Sequence, residues 1–169
     1  MTAGLPILIN KYCHKGILLD SNLLVLLYVG RVAPELVTEF KRTRNQGFTN
    51  LEFSLLETIV SRFERVITTP HILTETSNFV CQLNGESREK ALQLVTASVP
   101  SFKERRPEAK NLVKTRAFHD FGLTDSAVLD LPPKKYLVLS VDVALVVALQ
   151  KKGVDAINFT YFRQYAWNL

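Results

Sequence analysis

The segment Ile17-Leu18-Leu19-Asp20-Ser21-Asn22 constrains this chain most. Three aliphatic residues run into a carboxylate, a hydroxyl and an amide, and a second apolar run, Leu23 to Val29, follows at once. A short, continuous apolar run bounded by polar residues reads as a strand buried on both faces, as in a parallel sheet. The second run is too long to continue that strand and reads as a helix packed back on the sheet. Asp20 then stands where strand gives way to helix. In open parallel sheets the carboxyl ends of the strands are where ligands bind, so the rest of the chain is read for partners to Asp20.

The pattern recurs. Val66-Ile67-Thr68 reads as a short strand, Tyr136 to Val141 as a second buried strand ending at Asp142, and Val154 to Phe159 as the last. Helices are expected from Ser21 to about Val29 with Gly30 as C-terminal cap, and from Pro34 to Arg42. Another starts at Thr49-Asn50, where Phe53, Leu56, Ile59, Val60 and Phe63 fall at helical spacing. Further helices are expected from Pro70 to about Gln82, from a Ser87 cap to Ser98, and from Glu108 to Phe118. A short Thr124-capped helix should follow to Leu131, and a helix from Val143 to Lys152 capped by Gly153. Residues 1–16 read as a lead-in with room for a short edge element at Ile7 to Ile9, and Pro100 to Pro107 as a charged connector. With no linker or repeat, residues 1–169 form one domain. Alternating strands and helices predict an α/β fold, a three-layer α/β/α sandwich with a mainly parallel sheet of about five strands. Extra helical material occupies about residues 30–66.

At 169 residues, 47% of them hydrophobic, the chain can bury an ordinary core. Lys and Arg number 21 against 16 Asp and Glu, a net charge of +5, which suits a phosphate-rich partner without demonstrating one. Cys13 and Cys81, far apart, read as reduced thiols, and Cys13-His14 has no second Cys/His pair to complete a zinc site. The start Met1-Thr2-Ala3-Gly4-Leu5-Pro6 lacks the basic and apolar regions of a secretory leader, and no apolar run reaches the ~18 residues of a membrane span. The expectation is a cytoplasmic protein without membrane partners.

Four carboxylates stand at the ends of apolar elements: Asp20, Glu75, Asp125 and Asp142. Each has an ordinary use. Asp20 and Asp142 are natural helix caps, a role that contributes ~1 kcal/mol. Asp125 suits a helix dipole and Glu75 a solvated helix face. Together they say more. A parallel sheet puts the ends of the strands at 17–20 and 137–141 on one edge, and the helix starts near 70 and 124 can reach it. Converging carboxylates repel one another unless a cation neutralises them. An all-oxygen acidic set without His or Cys suits Mg²⁺ or Mn²⁺, which activate water and stabilise charge on a phosphate under attack. Asn22 and Ser140 are neutral groups placed to orient ligands.

In order, Leu18-Leu19-Asp20-Ser21-Asn22, Thr69-Pro70-His71-Ile72-Leu73-Thr74-Glu75, Gly122-Leu123-Thr124-Asp125, Val138-Leu139-Ser140-Val141-Asp142 and Val154-Asp155-Ala156-Ile157-Asn158-Phe159 resemble the signature of the PIN-domain nucleases. The resemblance spans about residues 17–160. It implies a metal-dependent ribonuclease acting on single-stranded or structured RNA, many relatives being toxins of toxin–antitoxin pairs. By that resemblance Asp20, Glu75, Asp125 and Asp142 would hold Mg²⁺ or Mn²⁺, and a metal-activated water would leave 5′-phosphate and 3′-hydroxyl ends. A cognate antitoxin protein and a homodimer are implied in the same way. The insertion at about 30–66 and the stop at Pro132-Pro133 depart from the compact toxins.

Other residues carry weaker signals. Lys103, Arg105, Arg106, Lys110, Lys114 and Arg116 can track an RNA backbone or form a solvated face diluted by Glu104 and Glu108. His71 and His119 are candidate bases or packed side chains. Tyr161, Phe162, Tyr165 and Trp167 can stack bases, bury a dimer face or fill the core. The rival readings are a non-catalytic PIN-like module that binds RNA or protein, and a phosphatase with a nucleophilic strand-end Asp. The second is the poorer, because Asn22 stands where the haloacid-dehalogenase pattern has its second acid.

Overall fold

The computed structural model describes residues 4–162. Its centre is the strand β1 (Ile17–Leu19), whose three residues are wholly buried. On one side it pairs with β2 (Val66–Thr68), which pairs with β3 (Lys103–Glu104). On the other it pairs with β4 (Leu137–Ser140), which pairs with β5 (Ala156–Asn158). All pairings are parallel, and the order is β3-β2-β1-β4-β5. The chain steps outward from β1 to β3, then returns to the other side for β4 and β5. The direction of winding thus reverses between β1 and β4, and the crevice of such a sheet opens at their carboxyl ends.

Helices cover the sheet in a three-layer α/β/α sandwich, as the alternating pattern predicts. They are α1 (Gly4–Tyr12), α2 (Ser21–Val32), α3 (Leu36–Glu39), α4 (Lys41–Asn45), α5 (Asn50–Val60), α6 (Pro70–Val80), α7 (Gly85–Ser98), α8 (Ala109–Leu112), α9 (Arg116–Leu129) and α10 (Val143–Lys151). Nine of the twelve residues of α2 are buried. A helix apolar on every side must be enclosed, and α2 lies against β1, α5, α6 and α7. It is therefore a rigid mount for whatever stands at its N-terminus. None of the helices among the described residues is long and apolar enough to cross a membrane.

Several local expectations are corrected. Residues 7–9 are helical, not an edge strand: Pro6 falls in the first turn of α1, where its missing N–H is harmless. Lys11 Nζ and Tyr12 Oη both donate to Asp155 Oδ2 at 2.6 Å, which docks α1 beside the loop into β5. The fifth strand is β3, inside the expected connector. Gly30 is not a cap, since α2 continues to Val32; it is a point of close approach, where an added Cβ would come within 2.3 Å of the Phe53 ring. The expected 34–42 helix is broken at Phe40, whose ψ of 123° is extended, into α3 and α4. Asn84, not Ser87, precedes α7. The expected 108–118 helix stops at α8, and Thr115 caps a new one, α9. The expected short helix is the second half of α9, set off by a break at Gly122 with φ of 79°, and Thr124 lies inside it rather than capping it.

The Gly30 contact makes a prediction. Gly30→Ala overpacks the α2–α5 seam and costs about 1–3 kcal/mol in denaturant unfolding, and Phe53→Leu in the same chain recovers part of the loss. An unchanged midpoint in Gly30→Ala would contradict the assignment.

Candidate functional site

Asp20 follows β1 and caps α2, and it is 7% exposed. Its Oδ1 accepts the Leu23 N–H at 2.8 Å, and its Oδ2 accepts the Ser140 hydroxyl at 2.6 Å and the Val141 N–H at 2.8 Å. The carboxylate therefore clasps the end of β1 to the end of β4. Ser140, fully buried, also accepts the Asp142 N–H at 3.0 Å. Asp142 in turn caps α10, its Oδ1 accepting the Leu145 N–H at 2.9 Å. A continuous chain of hydrogen bonds thus links Asp20, Ser140 and Asp142 across the switch point.

Glu75 arrives on α6. Thr69 caps that helix through the Ile72 N–H and Pro70 opens it, which fixes its start at the end of β2. The Ser21 hydroxyl donates to Glu75 Oε2 at 2.9 Å, so the first turn of α2 touches two of the acids. Asp125 lies on α9, after the bend at Gly122. Burial pushes its pKa up to about 7, helped by the negative charges of Asp142, Asp20 and Glu75 in that order. The Asp20 carboxyl is likewise raised by burial; the Ser140, Leu23 and Val141 hydrogen bonds oppose this and the Glu75 charge adds to it. The sequence-predicted acids thus share one electrostatic neighbourhood.

They do not close into a cage. Among the described residues, no group of three His, Cys, Asp or Glu side chains stands in an arrangement that holds a metal ion directly. The donor chemistry is nevertheless that of a hard cation. Mg²⁺ keeps several waters and needs only one or two protein carboxylates, and Asp142 Oδ2 and Glu75 Oε1 accept no hydrogen bond from the described residues.

Ser140 is in direct contact with Asp20 through its hydroxyl. Asn22 is engaged by a cation: its Oδ1 accepts Arg42 Nη2 at 2.8 Å. The weaker RNA-binding candidates do not form one helical stripe. Arg105 follows edge strand β3 and its backbone N–H bonds to Thr68; Arg106 pairs with Glu104, Lys110 pairs with Glu108 on the short α8, and Lys114 is exposed beyond it. His71 Nδ1 is buried without a partner among the described residues, while His119 is exposed against the Phe118 ring. Tyr161 is exposed, Phe162 packs on Phe159, and Tyr165 and Trp167 lie outside the described residues. An apolar hollow of about 410 Å³ between α6 and α7 includes none of the four acids.

Sequence reasoning missed Asn158 as a site support. Fully buried at the end of β5, it donates to the Val141 carbonyl at 3.1 Å and accepts from the Thr160 backbone at 2.8 Å. It thereby holds the loop between Ser140 and Asp142. An amide closing an otherwise apolar strand was the available signal. No family model matches the chain, and no curated protein or solved structure matches it.

The site's charge sets a pH dependence. Asp125 has a folded pKa above its ordinary value of 3.8, so the folded chain binds its proton more tightly than the unfolded chain. Stability attributable to this group is greatest below pH 4 and is lost as pH rises toward about 7. In chelator, Asp125→Asn raises stability at pH 8 by on the order of 1 kcal/mol after discounting for solvent screening, with little gain at pH 4. Thermal melts at the two pH values check this; an equal gain at both would contradict it.

Proposed function

We propose that this chain is a divalent-metal-dependent ribonuclease of the PIN type, hydrolysing phosphodiester bonds of single-stranded RNA. The carrying observation is the linkage of Asp20, Ser140 and Asp142 at the switch edge, with Glu75 tied in through Ser21 and Asp125 charge-coupled to the other three. Asp20 and Asp142 also cap helices and Glu75 holds Ser21, uses compatible with binding a cation. A carboxylate offers about four lone-pair directions; Asp20 accepts three hydrogen bonds from the described residues. Such a group orients its free direction firmly.

Asp20, Glu75, Asp125 and Asp142 are the residues that would hold Mg²⁺ or Mn²⁺. A hard cation there supplies a lowered pKa for an attacking water and neutralises charge developing on the phosphate. The chain's own part is positional. Ser140 donates to the Asp20 carboxylate and accepts the Asp142 backbone N–H, while the Leu145 N–H holds the Asp142 carboxylate. Ser21 donates to the Glu75 carboxylate. Asp125 holds its proton up to about pH 7 in the free protein, which limits the repulsion among the acids.

A second reading, a non-catalytic module of the same fold binding RNA or protein, is favoured by one observation: the absence of a ready three-ligand cluster among the described residues. Two measurements separate the readings. In Mn²⁺ the chain cleaves a single-stranded oligoribonucleotide; EDTA abolishes cleavage, and Glu75→Gln lowers kcat on the order of 100-fold or more. Mn²⁺ also raises the Tm by linkage, and Asp142→Asn removes that rise. No cleavage and a flat Tm would leave the binding module.

A further inference from the structure

We propose that Arg42 is a phosphate-binding residue at the rim of the acidic site, gripping the RNA strand beside the bond to be cut; this rests on the ribonuclease reading above. Arg42 belongs to α4, part of the additional material between α2 and α5. Its guanidinium lies 3.7 Å from the centroid of the Phe79 ring, and Nη2 donates to Asn22 Oδ1 at 2.8 Å. Both anchors adjoin the acids. Phe79 is one helical turn beyond Glu75 on α6, and Asn22 follows Ser21, whose hydroxyl holds Glu75.

Three features distinguish this arginine from a surface cation. Its plane is fixed by a ring on one face and an amide along one edge, which leaves an oriented fork of donors suited to a phosphate. Its Nε is buried and has no hydrogen-bond partner among the described residues. Its charge has no carboxylate partner among the described residues, whereas Arg31, Arg106 and Arg116 pair with Glu57, Glu104 and Asp120. Asn22 is neutral, so it holds the guanidinium without cancelling its charge. A polyanion approaching a cluster of acids needs a cation at the rim, and one bound to an amide stays available.

A purely structural role, strapping α4 to α2 and α6, makes a different prediction. The test is binding of a fluorescent single-stranded oligoribonucleotide, read by anisotropy across a salt series in EDTA so that nothing is cut. The variants are Arg42→Gln, which keeps an amide donor for Asn22, Arg42→Ala and Arg42→Lys, each checked by thermal melt. Arg31→Ala is the control. Arg42→Gln and Arg42→Ala weaken binding about 10-fold and flatten the slope of log K against log salt by about 0.7, one phosphate contact on a single strand. Arg42→Lys restores the slope but not the full affinity, and Arg31→Ala changes neither. A folded Arg42→Gln with the parent's affinity and slope overturns the proposal even if the parent cleaves RNA. A parent that binds RNA through Arg42 but never cleaves it in Mn²⁺ overturns the ribonuclease reading and leaves Arg42 as a phosphate-binding residue of a non-catalytic RNA-binding module. A parent that binds no RNA overturns both.

Discussion

The buried Asp20 carboxylate is the constraint on which the rest depends. Taking an ionised carboxyl out of water is expensive unless donors replace the lost hydration. Three do so: an N–H of α2, the Ser140 hydroxyl and the Val141 N–H. These donors come from the helix after β1 and from the strand beside it. The same bonds that make the charge tolerable therefore set the register of β1 on β4 and the start of α2. Losing the Ser140 donor would leave a buried charge short of a partner, a change that costs about 1–3 kcal/mol or more. Fold and site are thus held by one cluster of hydrogen bonds.

Around that clasp the chain accumulates negative charge. Glu75, Asp125 and Asp142 are each placed by a local device: a Thr-Pro helix start, a glycine bend and a helix cap. None of these requires the others, yet burial, together with the charges of Asp142, Asp20 and Glu75, raises the proton affinity of Asp125. A protein gains no stability from such crowding. Sites that break a local rule at a cost are where function is expected. The enclosed helix α2 makes the cost tolerable, since its buried side chains anchor the crowded turn in a close-packed core.

How much of this was legible depended on where the physics left a local trace. The strands at 17–19 and 137–140 are continuous apolar runs because they are buried on both faces. The acids at their ends were legible for the same reason. By contrast, β3 is two residues, Lys103 and Glu104, at the edge of the sheet, where no apolar pattern is required. Helix α1 was hidden by Gly4 and Pro6 and is held by a contact from Lys11 and Tyr12 to Asp155, far along the chain. Gly30 looked like a cap because glycine serves both caps and close approaches, and only the position of Phe53 separates the two. Asn22 looked like a ligand-orienting amide, but its partner Arg42 sits in an insertion whose path no periodicity reveals.

The central claim is that four acids, distant along the chain, share one divalent cation at the switch edge of the sheet. Anomalous diffraction from a crystal soaked in Mn²⁺ tests it most directly. The account predicts a peak in contact with a carboxylate oxygen of Asp20, Glu75 or Asp142 and bridged by water to the others. A soaked crystal with no manganese at that edge, or with manganese only elsewhere, would contradict it.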